Sequence, residues 1–190
     1  MKKYLLIIIS FLFVATSSVA FAENNFYVGI GATTGSGELK ESVTITDLGN
    51  FDGTTDYDTT STVAKIGYIL NDNHRFEFSV ESGEMEVDGG GSADLSGWNI
   101  DWVIVLYKDT LSPFLTLGTG YYTFDADVMK MSGAALNYGG GVLYSLNDNI
   151  EIEASYRWKT LKWVDAEVDI LDVSVESTQS ALYAGLNYKF

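Results

Sequence analysis

From residue 26 to the end of the chain, apolar and polar residues alternate with a period of two in eight separate segments. In the clearest segment, Trp98, Ile100 and Trp102 share one face, while Asn99 and Asp101 share the other. This alternation predicts β-strands with one apolar and one polar face. The predicted strands are residues 26–33, 60–70, 75–81, 97–107, 113–121, 134–146, 150–159 and 182–190. The sequence therefore predicts an all-β, antiparallel fold.

The connections between these segments alternate in length. Asn-Asp-Asn turns at 71–73 and 147–149 and a short link at 108–112 join three pairs of strands, whereas the other links are longer and polar. Short turns at one end and long loops at the other are typical of transmembrane β-barrels. We therefore expect an eight-stranded up-and-down barrel with both chain ends at the short-turn end.

The first residues have the layout of a secretory signal peptide. Lys2 and Lys3 precede an apolar run at residues 4–15, and Ala20 and Ala22 form a small-residue cleavage site. The alternative is a single anchoring helix, but the apolar run is short for a segment that must span a bilayer. We expect a signal peptide at 1–22 and a barrel domain at 23–190.

The charge and the cysteine content further limit the classes of protein to which the chain can belong. The net charge is −15, and cleavage would remove two lysines and no acidic residue. So acidic a chain is unsuited to nucleic acid, whose phosphates require lysine and arginine. The chain has no cysteine, so an exported domain cannot use disulfides and must gain stability elsewhere. A closed barrel does this through hydrogen bonds between strands.

Alternation alone does not say which face meets lipid, and a soluble periplasmic barrel is the alternative. Eight strands enclose a narrow lumen, which we expect to be too small for the bulky side chains of the apolar face. The polar face, rich in Gly, Ser and Asn, would fit inside. Aromatic and apolar residues beside the short turns also resemble an interfacial girdle: Tyr68, Phe76, Leu106, Phe114 and Tyr144.

Four stretches resemble the small outer-membrane barrels of the OmpA/OmpX and opacity-protein (porin-like) type: residues 26–31, 113–118, 152–158 and 186–190. The resemblance implies export by the general secretory route to the outer membrane of a Gram-negative cell. Tyr188 and Phe190 resemble the signal that the barrel-assembly machinery reads in this family. Full OmpA-type proteins carry a peptidoglycan-binding domain after the barrel; the sequence ends at Phe190, and we expect no such tether.

The polar face carries charges that would meet inside a narrow lumen. They are Lys65, Glu77, Glu81, Asp101, Glu153, Arg157 and Lys189. Unpaired charge in such an interior would be costly, so a structural salt-bridge network is the first hypothesis. A gated ion path, in which the pairs rearrange, is the second.

The predicted outer loops, residues 34–58 and 160–177, are strongly acidic. In the second of these, residues 165–170 alternate, which indicates that a strand extends beyond the membrane as a ribbon. Such loops could simply be solvated, or they could contact lipopolysaccharide through divalent cations, or a partner. The segment from Asp52 to Asp56 lacks the remainder of a calcium-loop pattern.

Catalysis has little support in the sequence. The one histidine, His74, falls in a short turn away from the outer loops, and no cysteine is available as a nucleophile. We expect no catalytic residue, no cofactor and no bound metal, and a monomer in contact with lipid and lipopolysaccharide. The sequence thus predicts a structural or surface-interaction protein, with a low-conductance channel as the alternative.

Overall fold

The computed structural model describes residues 25–45, 49–89, 91–126, 129–163, 166–168 and 171–190. It contains nine strands: β1 (Phe26–Ile45), β2 (Gly49–Asn71), β3 (His74–Val87), β4 (Gly91–Val105), β5 (Leu111–Ala126), β6 (Met129–Ser145), β7 (Ile150–Trp163), β8 (Ala166–Val168) and β9 (Leu171–Lys189). The predicted signal peptide lies outside the described residues. No helix among the described residues is long and apolar enough to cross a membrane.

Eight of the strands form a closed barrel. Each strand from β1 to β6 pairs antiparallel with the next, β7 pairs with β9, and β9 pairs with β1 to close the ring. The three-residue β8 pairs only with β9, at the tip of the hairpin between β7 and β9. The predicted eight-stranded antiparallel up-and-down barrel is confirmed.

We call the end of the barrel with the start of β1, the end of β9 and the turns at 72–73, 106–110 and 146–149 the near end, and the opposite end the far end. The two Asn-Asp-Asn turns at the near end share one geometry. Asn71 Oδ1 accepts hydrogen bonds from the backbone N–H groups of Asn73 and His74, each at 2.9 Å. Asn147 Oδ1 accepts from Asn149 and Ile150 at the same distances. These turns hold successive strands tightly together, as the sequence predicts.

Large apolar side chains cover the outside of the barrel nearest to the near end. Ile100 is 50% exposed and Leu115 is 49% exposed, although both lie in the middle of long strands. We call this ring the belt; its members include Ile30, Ile66, Tyr68, Phe76, Phe78, Val80, Trp98, Ile100, Trp102, Leu115, Leu117, Leu136, Tyr138, Tyr156, Trp158, Leu182, Leu186 and Tyr188. Exposed apolar surface on this scale is stable only against lipid.

The prediction for Phe114 was wrong. Leu115 and Leu117 point outward, so the strand alternation turns Phe114 inward, where it is 2% exposed. It packs with Val103, Val105 and Leu143 in a small apolar cluster inside the barrel.

The strands are longer than predicted. A transmembrane β-strand needs about 9–11 residues, whereas the barrel strands have 14 to 23. The excess lies at the far end, beyond the belt. Residues 34–45 and 49–58, predicted as loop, therefore continue β1 and β2, which pair along their whole length. Because these residues are polar on their outer face, the sequence gives little sign that pairing continues past the lipid. The predicted ribbon near residues 165–170 agrees with the strand Ala166–Val168.

Candidate functional site

The interior of the barrel contains a balanced set of charges. Ten charged side chains of the described strands point inward, and we call them the ion-pair network. Five are acidic and five are basic: Glu77, Glu81, Asp101, Glu151 and Glu153, with Lys65, Arg75, Arg157, Lys159 and Lys189. Each acidic residue contacts at least one of the basic residues. Burial of charge is tolerated when pairing is this complete.

Lys65 lies at the centre of the network, with a side chain only 1% exposed. Its Nζ lies 3.1 Å from Glu77 Oε1 and 2.5 Å from Glu153 Oε2. Glu77 also accepts a hydrogen bond from the hydroxyl of Tyr27, and Glu153 accepts one from Asn187 Nδ2 at 3.2 Å. One lysine therefore bridges two carboxylates from opposite walls of the barrel.

Arg157 joins this centre to the next residues along the barrel. Its Nη2 lies 3.0 Å from Glu153 Oε1, and its Nη1 lies 3.6 Å from Asp101 Oδ2. Towards the far end, Lys159 Nζ lies 3.0 Å from Glu81 Oε2. The hydroxyl of Tyr122 donates to the same Glu81 oxygen at 2.7 Å. Lys159 and Glu81 thus form a second group along the axis, with no ion pair to the central group among the described residues.

At the near end, Arg75 and Glu151 form a bidentate ion pair. Arg75 Nη1 and Nη2 donate to the two carboxylate oxygens of Glu151, at 2.7 and 3.2 Å. Lys189 Nζ lies 3.1 Å from Glu151 Oε1. Bidentate arginine–carboxylate pairs are among the strongest ion pairs. This contact covers the near-end mouth of the lumen.

The structure places all seven lumen residues proposed from the sequence inside the barrel, but in three separate groups of ion pairs. It adds Arg75, Glu151 and Lys159, which were absent from that set although they lie on the same face. Their parity follows from that of Glu77 and Glu153, so the alternation was a sufficient signal. What the sequence does not show is which charges meet across the barrel.

Glycines on neighbouring strands make room for this network. The hydroxyl and ring of Tyr27 lie against Gly67, where an added Cβ would be 2.1 Å from the ring. Asp101 similarly lies against Gly118, where a Cβ would be 1.9 Å from the carboxylate. The inward-facing glycines therefore provide the volume that long polar side chains fill.

Above the network, towards the far end, the interior is mostly apolar, although Thr59, Ser177 and Gln179 are also buried there. The buried hydrophobic residues are Leu39, Tyr57, Met85, Ala93, Leu95, Tyr122, Phe124, Ala135, Leu161, Trp163 and Val175. We call them the far-end cluster. Phe124 and Trp163 meet edge to face, with ring centroids 6.4 Å apart. Burial raises the pKa of Tyr57, which lies beyond the belt, to about 12. The bulky side chains of the apolar face lie outside, as expected, but the lumen also holds bulky side chains from the other face of the strands.

Paired charges fill the middle of the interior and mostly apolar side chains fill its far end, while a cavity of about 630 Å³ at the near end is lined by Arg75, Glu151 and Lys189 among others. Tyr27 and Tyr122 are fully buried within it. Such an arrangement stabilises a barrel and leaves little space for a solute. It would conduct only if several side chains moved.

Outside the barrel, the part beyond the belt is acidic. Because the ten network charges cancel, the net charge of −15 belongs to the remaining residues. Seven exposed carboxylates on β1 to β5 form what we call the acidic collar: Glu38, Asp56, Asp58, Glu84, Glu86, Asp94 and Asp125. Acidic residues lie directly opposite each other in the pairs Asp58–Glu86 and Glu84–Asp94. Like charges in direct opposition are destabilising unless something screens them.

The remaining predicted residues lie at the near end. Tyr188 belongs to the belt, and its ring meets that of Phe190 edge to face at 5.3 Å. The N–H of Phe190 donates to the carbonyl of Phe26 at 3.0 Å, which ties the two chain ends together. His74 Nδ1 accepts a hydrogen bond from Trp102 Nε1 at 3.2 Å. His74 is therefore engaged in the rim of the belt, far from the acidic collar.

Comparisons with known proteins agree with this architecture. Neisserial surface protein A matches with 19% identity and a TM-score of 0.54, over 87% of this chain and 97% of that one. Outer membrane protein OprG from Pseudomonas aeruginosa matches with 17% identity and a TM-score of 0.55, over 88% and 96%. The fold is that of the small outer-membrane β-barrels.

Solved structures with the same fold include proteins of different activities. The outer membrane protease OmpT from Escherichia coli matches with 10% identity and a TM-score of 0.54, over 92% of this chain and 100% of that one. No protein-family model matches the sequence, and no curated protein does. These likenesses establish the fold, and the predicted outer-membrane location agrees with it and with the belt. Short turns of such barrels face the periplasm, so we expect the far end to face outward.

Proposed function

We propose that this outer-membrane barrel has a structural and surface-interaction role, with a closed lumen and an acidic outer surface that contacts cations and lipopolysaccharide. The observation that carries the proposal is the interior, in which ten charges balance below a packed apolar cluster. A channel for polar solutes would need a continuous wet path, whereas these side chains fill the lumen of an eight-stranded barrel.

The acidic collar supports the surface part of the proposal. Carboxylates opposite each other on adjacent strands repel, and divalent cations such as Mg²⁺ and Ca²⁺ prefer carboxylate oxygens. Among the described residues, no group of three or more acidic, histidine or cysteine side chains is placed to enclose a metal ion. We therefore expect cations to be shared between the collar and the phosphates of lipopolysaccharide, rather than chelated by the protein.

Planar-bilayer recording tests the closed lumen. We expect purified protein to give no openings above background at any voltage. In parallel, deletion of the gene should make cells more sensitive to bulky antibiotics, and the intact gene should restore the barrier. Steady openings in wild-type protein, or an unaltered barrier after deletion, would contradict the proposal.

The collar is tested with a variant that removes charge but keeps shape: Asp58→Asn, Glu84→Gln, Glu86→Gln and Asp94→Asn. In lipopolysaccharide-containing vesicles, Mg²⁺ should raise the unfolding temperature of wild type and have a much smaller effect on the variant. Na⁺ at equal ionic strength is the control, since general screening alone would act on both. An equal Mg²⁺ response in both proteins would rule out a role for the collar.

A low-conductance channel is the second candidate. Glu153 is shared by Lys65 and Arg157, so these pairs could exchange partners without leaving a charge unpaired. If so, Glu153→Gln should produce openings that wild type lacks.

The C-terminal strand with Tyr188 and Phe190 remains the proposed contact for the barrel-assembly machinery, and Phe190→Ala should lower the amount of assembled barrel.

A further inference from the structure

The belt has a notch on one side, where a residue of the outer face has no side chain. Gly140 of β6 faces lipid between Leu115 of β5 and Tyr156 of β7, its direct cross-strand neighbours. The surrounding surface is apolar and encloses about 530 Å³. Its walls are Ile104, Leu115, Leu117, Tyr138, Tyr156 and Trp158.

The walls of the notch are stiff. Tyr138 and Trp158 stack at 5.7 Å with their rings 12° apart, and Tyr156 meets Trp158 edge to face at 4.7 Å. Aromatic pairs in these arrangements support each other beyond simple burial. The notch therefore keeps its shape, while flexible side chains would collapse into a gap of this size.

The position of the notch decides what fills it. It is continuous with the belt, so its occupant comes from the hydrocarbon of the membrane. Its upper wall, Trp158, also borders a groove beyond the belt, on β1, β2 and β9. The side chains that line that groove include the hydroxyls of Ser36 and Ser180 and three carboxylates of the acidic collar, those of Glu38, Asp56 and Asp58. An occupant with an acyl chain below and a sugar-bearing head group above fits both parts, because hydroxyls and carboxylates hydrogen-bond sugars.

We propose that the Gly140 notch binds one acyl chain of a lipopolysaccharide molecule, with Trp158 at the boundary between chain and head group. The inference deepens the proposed surface role, since it names a place where the lipid is held. Trp158 is 41% exposed and suits this boundary, where one part of the ring is apolar and the other is wet.

Fluorescence quenching tests the notch directly. Trp98→Phe, Trp102→Phe and Trp163→Phe leave Trp158 as the only tryptophan. In vesicles of brominated phosphatidylcholine, the bromine atoms quench its fluorescence. Added lipopolysaccharide should protect Trp158 more than its mole fraction predicts, whereas unbrominated phosphatidylethanolamine should protect only in proportion to its mole fraction.

Two variants of the same protein complete the test. Gly140→Leu fills the notch and should abolish the excess protection. Ala64→Leu places the same side chain on the lipid-facing side of β2, on the opposite wall of the barrel, and should retain it; heat-modifiable gel migration checks that both have folded. Proportional protection in the parent protein, or excess protection in Gly140→Leu, would overturn the inference. So would cross-linking of two copies through the notch, with Trp158 shielded before lipopolysaccharide is added.

The quenching test of the notch and the tests of the proposed function can fail separately. The barrier and conductance experiments do not depend on the notch, so they can succeed when the quenching test fails. Conversely, if Trp158 shows excess protection and the protein also conducts, the inference about the notch holds but the proposal of a closed lumen is wrong.

Discussion

Removal of Lys65 should be among the most damaging single changes to this barrel. Lys65→Met keeps the length of the side chain but leaves Glu77 and Glu153 without their shared cation. Glu153 keeps Arg157, whereas the nearest remaining partner of Glu77 is the hydroxyl of Tyr27. The network would then contain five acidic and four basic residues in a buried space.

The magnitude follows from the geometry. At about 3 Å and an effective dielectric constant of about 20, each contact of Lys65 is worth about 5 kcal/mol before desolvation. Burying the lysine has its own cost, so the net loss is smaller. Removing one partner from a buried ion pair typically costs about 3–5 kcal/mol, and we expect that range for Lys65→Met.

Urea unfolding in lipid vesicles, followed by circular dichroism and gel migration, measures the loss. Lys130→Met is the matched control, because Lys130 pairs with Asp125 on the surface with a side chain that is 65% exposed. Such surface pairs contribute at most about 1 kcal/mol. The double variant Lys65→Met with Glu77→Gln restores charge balance and should recover most of the lost free energy. Equal losses for Lys65→Met and Lys130→Met, or simple addition in the double variant, would refute the reasoning.

Three further predictions concern packing, turns and orientation. Gly67→Ala should lower the free energy of unfolding by about 1–3 kcal/mol, because the added methyl group would overlap the buried ring of Tyr27. Gly53→Ala is the control: a methyl group there meets nothing within 4 Å, so the free energy of unfolding in the same urea titration should be unchanged or slightly higher. Asn71→Ala should cost about 1–2 kcal/mol through two lost turn hydrogen bonds, while Asn71→Asp keeps the acceptor and most of the stability. Because the chain has no cysteine, a membrane-impermeant maleimide should label Asp58→Cys on intact cells, but Asp72→Cys only after permeabilisation; the reverse pattern would show that the barrel is inverted.

The local pattern of the sequence predicts most of the fold. Within a strand, side-chain direction alternates for steric reasons, so a run such as Trp98 to Trp102 assigns each residue to a face without knowledge of its neighbours. Gly, Asn and Asp mark the tight turns by their backbone preferences. The strand number, the antiparallel order and the two faces were therefore available from the sequence.

The extent of the strands was not available in this way. Beyond the belt the outer face of β1 and β2 no longer meets lipid. The alternation of apolar and polar residues therefore fades, although the two strands remain hydrogen-bonded to each other. Phe114 shows a related limit. It was assigned to the girdle by its aromatic character and its nearness to a turn, whereas strand parity places it inside.

By itself, the sequence determined that the chain forms a barrel and which side chains point into it, because alternation is a property of each strand alone. Only the tertiary structure decided which charges meet, because Lys65, Glu77 and Glu153 come from three strands and are adjacent only after the sheet closes at a particular register. The same closure decided how the side chains of the far-end cluster pack together, and that Gly140 leaves a notch between Leu115 and Tyr156. Contacts across a barrel depend on the stagger of all its strands, and no single stretch of sequence contains that information.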